Sequence, residues 1–142
     1  MTFEERNTIV GLTLSLVVVT AYWAIVIVRA ATDELPFTEV AWRGPLLWTM
    51  IVGGGLYAVI YGATRWRVRG QRVTDERDAE VLRHGESAGA GLTGVAVLAA
   101  IIMLTQGASD FWVAHVLFIG SFLGSLVAAG VTIAGYREGV RA

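Results

Sequence analysis

The side chains with the most chemical potential in this sequence are two histidines, one glutamate near an apolar segment and a cluster of arginines. The chain has no Cys, which excludes thiolate nucleophiles and Cys-ligated metals. His84 and His115 fall on opposite sides of the membrane predicted below, and no Ser or Asp can be assigned to either as a triad partner. Metal ligands are too sparse for a zinc site. We therefore predict no catalytic residues, no metal and no cofactor, and a protein that is not an enzyme.

His115 and Glu86 are the two titratable residues closest to predicted membrane helices. His115 could titrate near neutral pH and act as a pore or switch residue. The simpler interpretation is a neutral imidazole that is hydrogen-bonded to a neighbouring helix or at the membrane interface. Because it shares a helical face with small residues, we expect it to face other helices. Glu86 could line a vestibule, but Arg83 lies three residues earlier and an interfacial ion pair explains it more simply.

The segment from Arg65 to Glu86 is the only long polar stretch and contains six arginines. Charged side chains of this density stay in water or at lipid headgroups. Nine of the eleven arginines then lie on one side with both termini, and the positive-inside rule places that side in the cytoplasm. A solvated, salt-bridged segment is the simplest interpretation. The alternative is contact with anionic lipid or a cytoplasmic partner, through Arg65, Arg67, Arg69 and Arg72. Topology explains these arginines better than nucleic-acid binding does.

The elements that position these residues are predicted to be membrane helices, because 55% of the residues are hydrophobic and the mean hydropathy is +0.61. We predict an all-α bundle of four transmembrane helices in a multi-pass cell-membrane protein. Glu4 and Glu5 argue against a cleaved signal peptide. The predicted helices are Ile9–Val28, Leu46–Thr64, Ser87–Gln106 and Phe111–Tyr136.

We expect one membrane domain built from two helical hairpins, with a short amphipathic cytoplasmic helix between them that could be continuous with the third helix through Gly85. The predicted boundaries are hairpin one at 3–66, the linker and short helix at 67–86, hairpin two at 87–138 and a basic tail at 139–142.

Small residues recur every four positions along three of the predicted helices, which lets helix backbones approach closely in lipid. Whether these faces contact the same chain or a second copy is left open by the sequence. The predicted helix-packing residues are Gly54, Ala58, Gly62, Gly89, Gly94, Gly120, Gly124 and Ala128.

An internal repeat is one interpretation of the two halves. A shift of 71 residues aligns the residues Glu4–Asn7 with Asp75–Asp78, and Gly53 with Gly124. Such an overlay indicates a parallel duplication of one hairpin. Two unrelated hairpins with similar caps would give the same pattern.

Two stretches also resemble a family of small prokaryotic four-helix membrane proteins. The first consists of two segments, Glu4–Asn7 and Val73–Asp78. Within the later segment, Asp75–Asp78 match the Asp-Glu-Arg-Asp cluster that lies shortly before the family's third membrane helix. The second is His115–Val140. The family's usual Arg-Gly pair is split here by His84. The family is a domain of unknown function, so the resemblance implies a four-helix membrane fold and supplies no activity or site residues.

The sequence therefore predicts a non-enzymatic membrane interaction or accessory protein. It would self-associate or dock a membrane-protein partner through the small-residue faces and the Arg-rich segment. The alternative is a small uncoupled channel or transporter that works as a homo-oligomer, lined by Thr105, Gln106, His115, Ser121, Ser125 and Glu86.

Overall fold

The protein is all-α in the computed structural model, which describes residues 3–67 and 76–138. Its helices are α1 (Phe3–Asp33), α2 (Arg43–Arg67), α3 (Glu76–Thr105) and α4 (Asp110–Glu138). All four are long and apolar enough to cross a membrane, which takes about 20 apolar residues. By length and composition, these helices confirm the prediction of four long apolar helices in a multi-pass membrane protein.

Helix α3 follows the alternative in which the predicted short helix is continuous with the third membrane helix through Gly85. It begins at Glu76, with Glu76 and Asp78 in its first turn, where carboxylates suit the helix dipole. It then continues unbroken through Gly85. Glycine inside a helix costs about 1 kcal/mol relative to alanine, but Gly85 is buried in contact with α4, and that contact offsets the cost. Residues 68–75 of the predicted linker, including Arg69 and Arg72, lie outside the described residues.

The connection from α1 to α2 begins with a helix-ending turn. Glu34 has a positive φ of 53°, and the Leu35 amide donates a hydrogen bond of 3.2 Å to the carbonyl of Ala30. This is the pattern of a Schellman motif, in which the residue at the left-handed position is usually glycine. Arg29 near the end of α1 donates from Nη1 to the carbonyl of Ala41 at 2.9 Å.

The turn between α3 and α4 uses the same motif with the preferred residue. Gly107 has a φ of 72°. The Ala108 amide donates to the Met103 carbonyl at 3.0 Å, and the Gly107 amide donates to the Leu104 carbonyl at 3.1 Å. These bonds satisfy carbonyls that the end of α3 would otherwise leave open.

The chain divides into two compact units. One contains α3, α4 and the first residues of α1, and the other contains α2 with α1 from Thr13 onward. In the second unit, a Cβ added at Gly53 of α2 would lie 3.0 Å from Cγ1 of Val18 on α1. A small residue therefore marks the point where these two helices meet.

Candidate functional site

A close backbone contact joins α3 and α4, with glycine facing glycine. A Cβ added at Gly89 would lie 2.5 Å from the Gly124 carbonyl oxygen, and one added at Gly124 would lie 2.8 Å from the Gly89 carbonyl oxygen. No larger residue fits there without moving the helices apart. In lipid, such close approach supplies the van der Waals contact that holds helices together.

The contact continues along both helices. Gly85 faces the Thr132 side chain and the Ala128 carbonyl, and a Cβ added at Gly120 would collide with Ala96. Of the predicted packing residues, four lie in this contact: Gly89, Gly120, Gly124 and Ala128. The small residues therefore form a continuous intramolecular seam between α3 and α4.

Sequence reasoning missed part of this seam. Ala96 and Ala100 are both buried on α3, and Gly135 of α4 contacts Val81, with an added Cβ lying 2.9 Å from Val81 Cγ1. The four-residue spacing of Ala96 and Ala100 was a usable signal. Val81 carried a signal too, because it is an apolar residue within the charged start of α3 and lies four residues before Gly85.

Four of the predicted packing residues make no close helix contact within residues 3–67 and 76–138. Gly54, Gly62 and Gly94 have no atom within 4 Å of an added Cβ, and Ala58 is exposed. On α2 the helix contact is made instead by Gly53, one residue and about 100° around the helix from Gly54. Spacing places these small residues on one face of α2, but it does not say what covers that face. Contact with a second copy stays a prediction.

The two helix–helix contacts are related by a constant shift. Val18 and Gly53 meet between α1 and α2, and Gly89 and Gly124 meet between α3 and α4. Each residue of the first pair lies 71 residues before its counterpart in the second. This is the shift on which the predicted repeat was based, and it brings equivalent positions into contact in both helix pairs.

His115 is buried, with 1% of its surface exposed. Its Nδ1 lies 2.6 Å from the Phe111 carbonyl oxygen one turn earlier, and the two rings are 4.0 Å apart at their centroids. A carbonyl only accepts, so Nδ1 carries a proton and donates it. His115 thus faces the protein interior as expected, although this hydrogen bond is to its own helix rather than to a neighbouring one. Its role as a pore or switch residue stays a prediction.

The other residues considered as channel lining lie on the outside of the chain. Glu86, Thr105, Gln106, Ser121 and Ser125 are all exposed. The Thr105 hydroxyl donates to the Ile102 carbonyl and the Ser125 hydroxyl to the Phe122 carbonyl, each at 2.7 Å. Their role in lining a channel stays a prediction.

The arginine end of α2 forms a shallow groove. Its volume is about 360 Å³ and it is lined by Tyr61, Gly62, Arg65 and Trp66. Tyr61 stacks on Tyr57 one turn earlier, with ring centroids 6.1 Å apart and planes inclined by 21°. Of the four arginines predicted to contact lipid or a partner, Arg65 lines this groove and Arg67 is the last residue of α2.

Comparison with known proteins identifies no relative. No family model, no curated protein and no solved structure matches the chain. Within residues 3–67 and 76–138, no three His, Asp or Glu residues come together as metal ligands. Two surfaces of α2 are open: the groove at its arginine end and the small-residue face formed by Gly54, Ala58 and Gly62.

Proposed function

We propose that the protein is a non-enzymatic integral membrane protein that works by association, with the small-residue face of α2 as the contact surface and a second copy as the first candidate partner. The observation that carries this proposal is that none of the apolar window of α2 is buried inside the protein. Gly54 and Gly62 are open on this helix.

Helices α3 and α4 show how a face of small residues packs when another helix covers it. There, small residues at four-residue spacing meet another helix at backbone distance. Helix α2 repeats the spacing with Gly54, Ala58 and Gly62, yet these residues face outward. Small residues on a lipid-facing surface make poor contact with lipid chains and good contact with another helix. Association would give this face a contact that the described residues 3–67 and 76–138 do not provide.

We propose further that the helices cross the membrane as two duplicated hairpins with both termini and the Arg-rich segment in the cytoplasm. The arginine distribution supports this orientation, and the constant shift between the Val18–Gly53 and Gly89–Gly124 contacts supports the duplication. The Arg-rich segment would serve as a second docking surface on the cytoplasmic side. The family resemblance noted from the sequence is compatible with this arrangement.

The proposal is tested by energy transfer between donor- and acceptor-labelled copies in liposomes, over a range of protein-to-lipid ratios. We expect transfer for the unchanged protein and about tenfold weaker association for Gly54→Ile, which corresponds to about 1.4 kcal/mol. Gly91→Ile is the matched control, because Gly91 is an open, exposed glycine on α3. Equal association of both variants, or a strictly monomeric protein that captures no membrane partner, would contradict the proposal.

The second candidate, a channel between copies, is favoured by the exposure of Ser121 and Ser125 on α4. Polar side chains on the outer face of a membrane helix tend to meet other polar groups or water. Liposomes containing the protein would then pass ions or small solutes at neutral or acid pH. If no flux is found for any solute, association alone remains.

A further inference from the structure

The groove at the end of α2 has a floor without side chains and walls that are aromatic and cationic. Tyr61 with Arg65 and Gly62 with Trp66 are four residues apart, so each pair lies on one strip of the helix. A Cβ added at Gly62 would meet nothing within 4 Å. Trp66 is 74% exposed, and Tyr61 is held against Tyr57 by ring stacking. The space between these side chains is therefore open from outside.

The position of the groove along α2 is at the limit of its apolar part. The candidate membrane span runs from Arg43 to Trp66, and the groove occupies its last two turns. Tyr, Trp and Arg side chains at such a boundary lie at the depth of lipid headgroups. The start of an acyl chain would lie over Gly62, and the headgroup would lie beside Arg65.

The sequence around this end of α2 is rich in arginine. Arg65 is followed in the sequence by Arg67, Arg69 and Arg72, and no acidic residue occurs from Gly44 to Thr74. A guanidinium group matches the geometry of a phosphate better than any other side chain does, because it presents parallel N–H donors. The groove thus combines a phosphate-binding group with a surface on which an acyl chain can lie.

We propose that this groove binds one anionic phospholipid, with its phosphodiester at Arg65 and the start of an acyl chain over Gly62 between Tyr61 and Trp66. The inference rests on the proposed membrane insertion and gives the lipid contact of the arginines a defined site. It also makes two neighbouring parts of one helix serve different partners. Gly54 and Ala58 belong only to the protein contact, Arg65 and Trp66 only to the lipid site, and Gly62 to both.

Native mass spectrometry of the full chain, released from nanodiscs of mixed phosphatidylglycerol and phosphatidylcholine, tests the proposal. We expect phosphatidylglycerol to be retained preferentially by the unchanged protein. For Arg65→Gln, retention should fall about fivefold, the amount expected for one arginine near the membrane surface. Gly62→Leu, which fills the groove and keeps Arg65, should lose retention as well. Arg65→Lys should recover part of it.

Gly54→Leu is the matched control, because Gly54 is equally open but lies two turns before the groove. It should weaken association of the protein and leave phosphatidylglycerol retention unchanged, whereas Arg65→Gln should do the reverse. Millimolar inorganic phosphate should not displace the lipid, and displacement would point to a free-phosphate site instead. Equal retention of both lipids, or retention unchanged in Gly62→Leu, would overturn the lipid site and leave the association proposal standing.

Discussion

Single glycines in this protein have different roles that depend on what lies opposite them. Gly89 faces the backbone of α4, whereas Gly91, half a turn away on the same helix, faces open space. Both have the same chemistry and both lie in the same apolar helix. Their contribution to stability is therefore set by the neighbouring helix rather than by the residue itself.

Substitution of these two glycines should show that only Gly89 contributes to the packing of α3 against α4. Gly89→Leu forces a side chain against the Gly124 carbonyl and the Ala128 side chain, and we expect it to lower the free energy of unfolding by about 3 kcal/mol. Gly91→Leu should change it little. Unfolding in mixed micelles measures both values, and similar losses for the two variants would mean that α3 and α4 do not meet at Gly89.

The two histidines allow a second comparison at the scale of single residues. Each has Nδ1 near the carbonyl four residues earlier, Phe111 for His115 and Glu80 for His84, but His115 is buried and His84 is exposed. His115→Ala should leave a cavity and cost about 2 kcal/mol, while His84→Ala should cost little. The same unfolding measurement checks this, and equal stability of the two variants would place His115 at the surface.

At the scale of elements, the two helix-ending turns make opposite predictions. Gly107→Ala places a Cβ on a residue with a φ of 72° and should destabilise the protein by about 1 kcal/mol. Glu34→Gly removes the strain of a non-glycine residue with a φ of 53°, and it should leave stability unchanged or raise it by up to about 1 kcal/mol.

Gly91→Ala is the control for these turn variants, because it adds the same methyl group to an open position inside α3. Alanine is the better helix former there, so this variant should gain about 0.5 kcal/mol. Thermal unfolding in detergent ranks the three variants by their stability. A loss for Glu34→Gly comparable to that of Gly107→Ala would contradict the proposed role of these turns.

The existence of the four helices could be predicted because each contains an apolar stretch long enough to cross a bilayer, and length and hydropathy decide this without tertiary information. The unbroken course of α3 was harder to predict. The sequence left the short helix and the third membrane helix either separate or continuous through Gly85, and the burial of Gly85 against Thr132 and Ala128 shows why they are continuous.

The predicted packing face shows the same limit. Spacing identified Gly89 and Gly124, and also Gly54 and Gly94, by one rule. The first two meet another helix, whereas an added Cβ at either of the last two has no atom of residues 3–67 or 76–138 within 4 Å. A four-residue period determines which residues share a face of one helix, but the partner depends on how separate helices are arranged. The groove at Arg65 escaped sequence reasoning for a related reason, since it needs the open position at Gly62.

At the scale of the whole molecule, each helix exposes large apolar side chains, among them Val17, Trp48, Ile102 and Leu123. In water, an apolar surface of this extent would be unstable, and lipid removes the problem. The buried residues are mostly small or lie near helix contacts, as in the seam between α3 and α4. The fold is therefore suited to the hydrocarbon interior of a lipid bilayer. The charges of the Arg-rich segment oppose the transfer of that segment across the bilayer.

The most direct test of the account is the accessibility of single cysteines to a membrane-impermeant thiol reagent in intact cells. The chain has no native Cys, so each variant carries one reactive thiol without background. Thr38→Cys and Ser109→Cys lie in the exposed connections after α1 and α3, and Glu80→Cys lies in the exposed charged start of α3. The account predicts labelling of the first two from outside and labelling of Glu80→Cys only after the membrane is opened. Labelling of Glu80→Cys in intact cells, or protection of both connections, would contradict it.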